Sequence, residues 1–214
     1  MNKSIKAFVR SCAETLPIQE PIYEFGSLQV PEQEGFADLR PMFPGRKFIG
    51  ADMRQGPGVD IVLDLAKIDL PAECAGTVLL LETVEHVEYV SKALEEVYRI
   101  IKPGGILVMS SRLDFPIHAY PNDYWRFTPE AFKSLLKLFG WSYVGYAGKK
   151  SFPHSIIGVG FKDPVPAFDR GTFQARMEQW SRDTYYYRGF RKELLISLTP
   201  PIIIDILRKI RGTF

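Results

Sequence analysis

Five apolar runs in this chain each end on polar side chains that could be pooled into one site. After "PIY" come Glu24, Gly26 and Ser27; after "IGA" comes Asp52; after "IVL" comes Asp64. After "VLLL" come Glu82 and Thr83, and after "ILVM" come Ser110, Ser111 and Arg112. A carboxylate past the second run can take two hydrogen bonds from a ribose diol. One past the third run can accept from an adenine amino group. A backbone at Gly26 allows close approach because no Cβ stands in the way. Any one of these residues alone also reads as a helix cap or a solvated loop end. Their recurrence after every run points to a nucleoside-bearing ligand.

Proton chemistry has few candidates, because the chain has three histidines. His118 stands in the loop after the fifth run, five residues before Asp123. A histidine oriented by a carboxylate can take a proton from an acceptor hydroxyl; the same pair can also simply hold the loop. His86, at the start of the helix after the fourth run, is the second candidate base, with packing as its other reading. His154, beside Pro153, reads as structural. Tyr124, Trp125 and Arg126 follow Asp123 directly. Aromatic faces beside a charge suit a sugar ring, whose C–H face stacks while its hydroxyls find partners. They equally suit a lid over the ligand or an anchor for the loop. No HExxH or CxxC spacing occurs, so no metal site is expected.

These residues need a scaffold that brings strand ends together. The apolar runs alternate with helical segments, which predicts a largely parallel sheet with helices on both faces. Ile5, Phe8, Val9, Cys12 and Leu16 fall at helical spacing and predict an amphipathic first helix rather than a signal peptide. "EGFADLRPMF" reads as a short helical segment. "VSKALEEVYRII" reads as an amphipathic helix that stops at Lys102-Pro103-Gly104-Gly105, where proline and glycine turn the chain. Thr128-Pro129 opens the next helix, with Thr128 as cap. "WSYVGYAG" and "SIIGVGF" read as a closing antiparallel pair of strands. The expected fold is α/β: a Rossmann-like, doubly wound, mostly parallel sheet with an antiparallel final strand. Residues 1–162 would form that domain. Residues 163–214 would form a helical C-terminal extension of two helices, divided at Thr199-Pro200-Pro201.

Composition narrows the partners. At 214 residues and 46% hydrophobic, the chain can bury one sizeable core. A net charge of +2 supplies no bulk attraction to nucleic acid. Two cysteines make no disulfide framework and suit a reducing cytoplasm. No apolar stretch reaches the length of a membrane span. The tail carries Arg188, Arg191, Lys192, Arg208, Lys209 and Arg211 beside apolar segments. That pattern fits packing on the domain, a homodimer, or peripheral contact with an anionic membrane.

One block carries a family resemblance. "VLLLETVEHVEYVSKALEEVYRIIKPGGILVMSS" resembles the central block of class I S-adenosylmethionine (SAM)-dependent methyltransferases, with Glu85-His86-Val87, Arg99 and Lys102-Pro103-Gly104-Gly105 as its marks. "HAYPNDYWRFTPEAF" is similar to a segment of small methyltransferases associated with glycan and polysaccharide genes. The resemblance covers roughly residues 20–160. It implies SAM as cofactor and a sugar or glycan precursor as acceptor. It also implies that Asp52 holds the ribose, Met53 flanks the adenine, and Asp64 and Leu65 face the adenine edge. Glu24 and Gly26 would then lie under the methionine part, and Glu82 and Thr83 would border it. The first loop departs from the pattern, with Leu28 and Val30 where glycines are usual. SAM has no pyrophosphate, so that departure weighs against NAD more than against SAM. An NAD-dependent oxidoreductase or epimerase and a non-catalytic scaffold are the alternatives at this point.

Overall fold

A computed structural model describes residues 2–31, 34–118 and 122–198, with 185–198 as backbone alone. Seven strands form one sheet: β1 (Ile22–Phe25), β2 (Phe48–Asp52), β3 (Ile61–Val62), β4 (Ala75–Leu81), β5 (Ile101–Arg112), β6 (Trp141–Lys149) and β7 (Phe152–Phe161). Their order is β3-β2-β1-β4-β5-β7-β6. The pairs among β1 to β5 are parallel, and β7 runs antiparallel to both β5 and β6. Strand order therefore reverses between β1 and β4, which sets the ligand crevice at the carboxyl ends of those strands.

Both faces of the sheet are covered. Along β4, Val78 and Leu80 join one core cluster while Leu79 and Leu81 join the other. This is the period-two alternation of a central strand. On the first face lie α2 (Val90–Ile100) and α3 (Pro129–Leu135). Helix α2 buries Val90, Ala93, Leu94, Val97 and Ile100. Thr128 caps α3 by accepting from the Ala131 N–H at 3.2 Å, with Pro129 in the first turn.

On the second face lie α1 (Lys3–Thr15) and α4 (Arg170–Leu198). Helix α1 buries Ile5, Phe8, Val9 and Cys12, as its spacing predicts. Helix α4 buries Phe173, Met177, Trp180 and Thr184 at helical spacing. The Trp180 indole N–H donates to the Ser4 carbonyl at 2.7 Å, and the Ser4 and Thr184 hydroxyls share a 3.0 Å hydrogen bond.

Three expectations change. Over residues 34–43, read as a helical segment, the structure has a 3-10 turn at Arg40–Met42 in place of an α-helix, with Gly35 at φ +69° before it. The third strand shrinks to Ile61–Val62, because the Asp64 side chain accepts from the Ala66 N–H at 2.8 Å and closes a turn. Helix α2 does stop just before Lys102–Gly105, at Ile100, but the chain does not turn in that stretch. Instead β5 begins directly at Ile101, and Gly104 at φ +73° lets the strand run on past a register shift against β4. The expected last helix, with Arg208, Lys209 and Arg211, lies outside the described residues, as do the side chains of Arg188, Arg191 and Lys192. Among the described residues no helix is long and apolar enough to cross a membrane.

Candidate functional site

A cleft of about 700 Å3 opens at the carboxyl ends of β1 to β5. Glu24, Gly26 and Ser27 reach it from the end of β1, and Asp52 and Met53 from the end of β2. Asp64 and Leu65 come from the turn after β3, and Glu82 and Thr83 from the end of β4. All nine residues expected around the cofactor thus line one cavity.

The first loop shows why its glycines are few. Gly26 lies at φ +80°, and a Cβ there would run into the Thr83 side chain. The Thr83 hydroxyl is fixed in turn, within 3.1 Å of the Phe25 and Leu81 carbonyls. Gly26 is therefore demanded by packing between β1 and β4. Every backbone N–H from residue 26 to 29 is already committed. Those of Gly26 and Ser27 donate to the Ala51 carbonyl, that of Gln29 to Pro57, and that of Leu28 to the Asp52 carboxylate at 3.4 Å. A pyrophosphate would need such groups pointing at the ligand. The NAD alternative loses its binding element here.

Acceptor groups dominate the floor. Asp52 is 9% exposed and accepts from the Arg54 N–H at 2.9 Å, with the Arg54 guanidinium at 3.7 Å. Glu82 sits in the left-handed region at φ +53°, a strained backbone for a residue with a side chain. Its N–H donates to the Ser110 carbonyl at 2.9 Å, and its carboxylate accepts from the Asn2 side-chain amide at 3.0 Å. Burial pushes the Glu24 carboxyl up to about 8, although the Arg40 charge opposes the shift. Burial likewise pushes Glu85 up to about 7, and the neighbouring Glu82 charge adds to this.

The far end of the cleft is built by Glu85-His86-Val87 and the loop after β5. The Glu85 carbonyl accepts from the Tyr124 and Trp125 N–H groups at 2.9 and 3.2 Å. The Trp125 indole N–H donates to the Val87 carbonyl at 2.9 Å. His86 Nδ1 lies 2.6 Å from the Asn122 carbonyl, which can only accept, so Nδ1 carries the proton and Nε2 is the basic nitrogen. Burial lowers the His86 pKa. His118 Nδ1 lies 3.1 Å from the Asp123 carboxylate and 3.2 Å from the Pro116 carbonyl. Two acceptors at Nδ1 fix the same tautomer there. The His86 and His118 rings meet edge to face with centroids 4.9 Å apart.

Of the expected acceptor-side residues, His86, His118 and Tyr124 line the cleft. Asp123, Trp125 and Arg126 stand behind it. Arg126 grips Asp123 through two hydrogen bonds of 2.5 and 2.6 Å and also donates to the Phe115 and Pro116 carbonyls. That grip holds the Asp123 carboxyl well below the usual carboxylate range, so the pair stays charged at neutral pH. Of the three polar residues read after the fifth run, Arg112 lines the cleft, while Ser110 and Ser111 are buried outside it; sequence reading missed Asn2, Tyr89 and Phe115, which also line it. Among the described residues no group of three or more His, Cys, Asp or Glu side chains is arranged to hold a metal ion.

The seven-stranded sheet with its antiparallel last strands, and the cleft at its point of reversal, make the Rossmann-like fold that SAM-dependent methyltransferases share. Residues 46–109 match the family model of a methyltransferase domain, a stretch that holds Asp52, Asp64, Glu82 and Thr83. Among solved structures, the chain is similar to a SAM-dependent methyltransferase from Archaeoglobus fulgidus. That likeness has 15% identity and a TM-score of 0.58, and covers 74% of this chain and 93% of that one. It is also similar to an S-adenosylmethionine-dependent methyltransferase from Mesorhizobium loti, with 15% identity and a TM-score of 0.55, covering 73% and 98%. These structural likenesses are of fold. No curated protein matches the sequence. The cofactor of the class, SAM, fits the groups present. It is a cation rich in hydrogen-bond donors, and the cleft floor offers Asp52, Asp64 and Glu82 as acceptors, with Met53 and Leu65 as apolar neighbours.

Proposed function

We propose that the protein O-methylates a sugar or glycan precursor, with His118 as the base. The His118–Asp123 contact at the mouth of the cleft is the observation that carries this reading. Bound SAM supplies an electrophilic methyl group on a sulfonium. Asp52 accepts from the ribose hydroxyls, Asp64 from the adenine edge, and Met53 and Leu65 bracket the ring. Glu24, Gly26 and Ser27 lie beneath the methionine part, with Glu82 and Thr83 at its border. Asp123 holds the His118 ring with Nδ1 protonated, so Nε2 takes the acceptor proton as the hydroxyl attacks. Tyr124, 42% exposed, offers its ring to the acceptor, while Trp125 and Arg126 hold the loop that presents it. The reading sets the reaction in the cytoplasm, on a small-molecule or glycan acceptor.

The test is a screen of nucleotide sugars and free glycans with SAM, with the new methyl group located by NMR. Transfer to a sugar hydroxyl is expected. Transfer confined to nitrogen or carbon acceptors would overturn the hydroxyl reading. The cleft carboxyls give a second expectation. Glu24 and Glu85 are raised to about 8 and about 7, so each is increasingly protonated below those values. A cation in the cleft favours their ionised forms. SAM should therefore bind more tightly as pH rises from about 6 to about 9, whereas uncharged-sulfur S-adenosylhomocysteine should change less. Calorimetric titrations across that range check it; equal pH profiles for the two ligands contradict it.

A further inference from the structure

Asn2, the residue that caps helix α1, joins that helix to the cleft. Its side-chain oxygen caps the helix by accepting from the Ser4 and Ile5 N–H groups at 2.9 and 3.1 Å. Its side-chain amide nitrogen points the other way and donates to the Glu82 carboxylate at 3.0 Å. The two residues are eighty positions apart in sequence, and both line the cleft. One end of Asn2 is thus fixed by the helix and the other fixes Glu82. The helix itself is held from its outer side by α4, through the Trp180–Ser4 and Thr184–Ser4 hydrogen bonds. Glu82 has little freedom elsewhere. Its backbone is locked in the left-handed region by the Ser110 hydrogen bond, and Thr83 beside it is tied to β1.

We propose that Asn2 is a positioning residue for the cofactor: it aims the Glu82 carboxylate at the amino group of the methionine part. The proposal rests on the cofactor reading above and adds a determinant from outside the strand ends. An amide suits this role because it orients Glu82 by donating a hydrogen bond without adding a charge of its own. An aspartate at the same position would still cap the helix equally well. It could no longer donate, and it would set a second negative charge against Glu82.

The test is Asn2→Asp, measured with two probes by calorimetry on the full chain. S-adenosylhomocysteine carries the amino-acid end; 5′-methylthioadenosine has the adenosine and the sulfur but no amino acid. The variant should keep the cap, remain folded, and keep the wild-type Kd for methylthioadenosine. Its Kd for S-adenosylhomocysteine should rise about tenfold, the size of one lost hydrogen bond to a charged group. A merely structural cap would leave the ratio of the two Kd values unchanged, and that result would overturn the proposal. Equal weakening for both probes would overturn it too, because the effect would then not lie at the amino-acid end. A wild type that binds neither probe would instead overturn the cofactor reading, and this inference with it.

Discussion

His118→Ala should lower kcat about a thousandfold while leaving the Kd for S-adenosylhomocysteine unchanged. The size follows from what general-base catalysis supplies when a hydroxyl must lose its proton as it attacks. The separation of kcat from Kd follows from geometry. His118 belongs to the loop after β5, whereas the residues assigned to the cofactor come from the ends of β1 to β4. Asp123→Asn should give a smaller loss in kcat, because the Pro116 carbonyl still holds Nδ1 in the same tautomer. His86 is the informative control, since its ring meets His118 edge to face and its Nε2 is also basic. A larger loss in His86→Ala than in His118→Ala would move the base to the neighbouring ring.

Asp52→Ala should weaken S-adenosylhomocysteine binding about a hundredfold, equivalent to about 2.7 kcal/mol. Two hydrogen bonds from a ribose diol to a carboxylate are each charge-assisted, and water restores only part of them in the variant. The same carboxylate also holds the Leu28 and Arg54 N–H groups, so alanine loosens the first loop as well. Asp52→Asn separates the two effects. It keeps an acceptor for the Arg54 N–H but loses the charge, and its Kd should fall between those of wild type and alanine. A wild-type Kd in Asp52→Ala would remove the ribose assignment.

Much of the scaffold was legible because burial leaves a periodic trace. Ile5, Phe8, Val9 and Cys12 mark the inner face of α1, and Ala93, Leu94, Val97 and Ile100 mark that of α2. The unbroken apolar run of β4 reads as a strand covered on both faces, and it is one. The errors lie where a side chain or a glycine overrides local preference. Asp64 folds back on the Ala66 N–H and cuts β3 short. The helix stop read at Lys102–Gly105 holds, but Gly104 takes a positive φ and carries β5 through a stretch that composition reads as a turn. In the cleft, strand ends were legible because a parallel sheet gathers them at one edge. Asn2 was not, because a capping asparagine looks the same whether its other end meets solvent or Glu82. Glu85 stood in a recognisable block, but its burial depends on the Tyr124–Trp125 segment folding back over it, which spacing does not show.

The most direct test of the central claim is a crystal structure of the protein with S-adenosylhomocysteine. The ribose hydroxyls should lie within hydrogen-bond distance of Asp52, the adenine between Met53 and Leu65, and the amino-acid end beside Glu82. A ligand bound elsewhere, or bound in this cleft with its amino-acid end at Asp52 and its adenine at Glu82, would contradict the account.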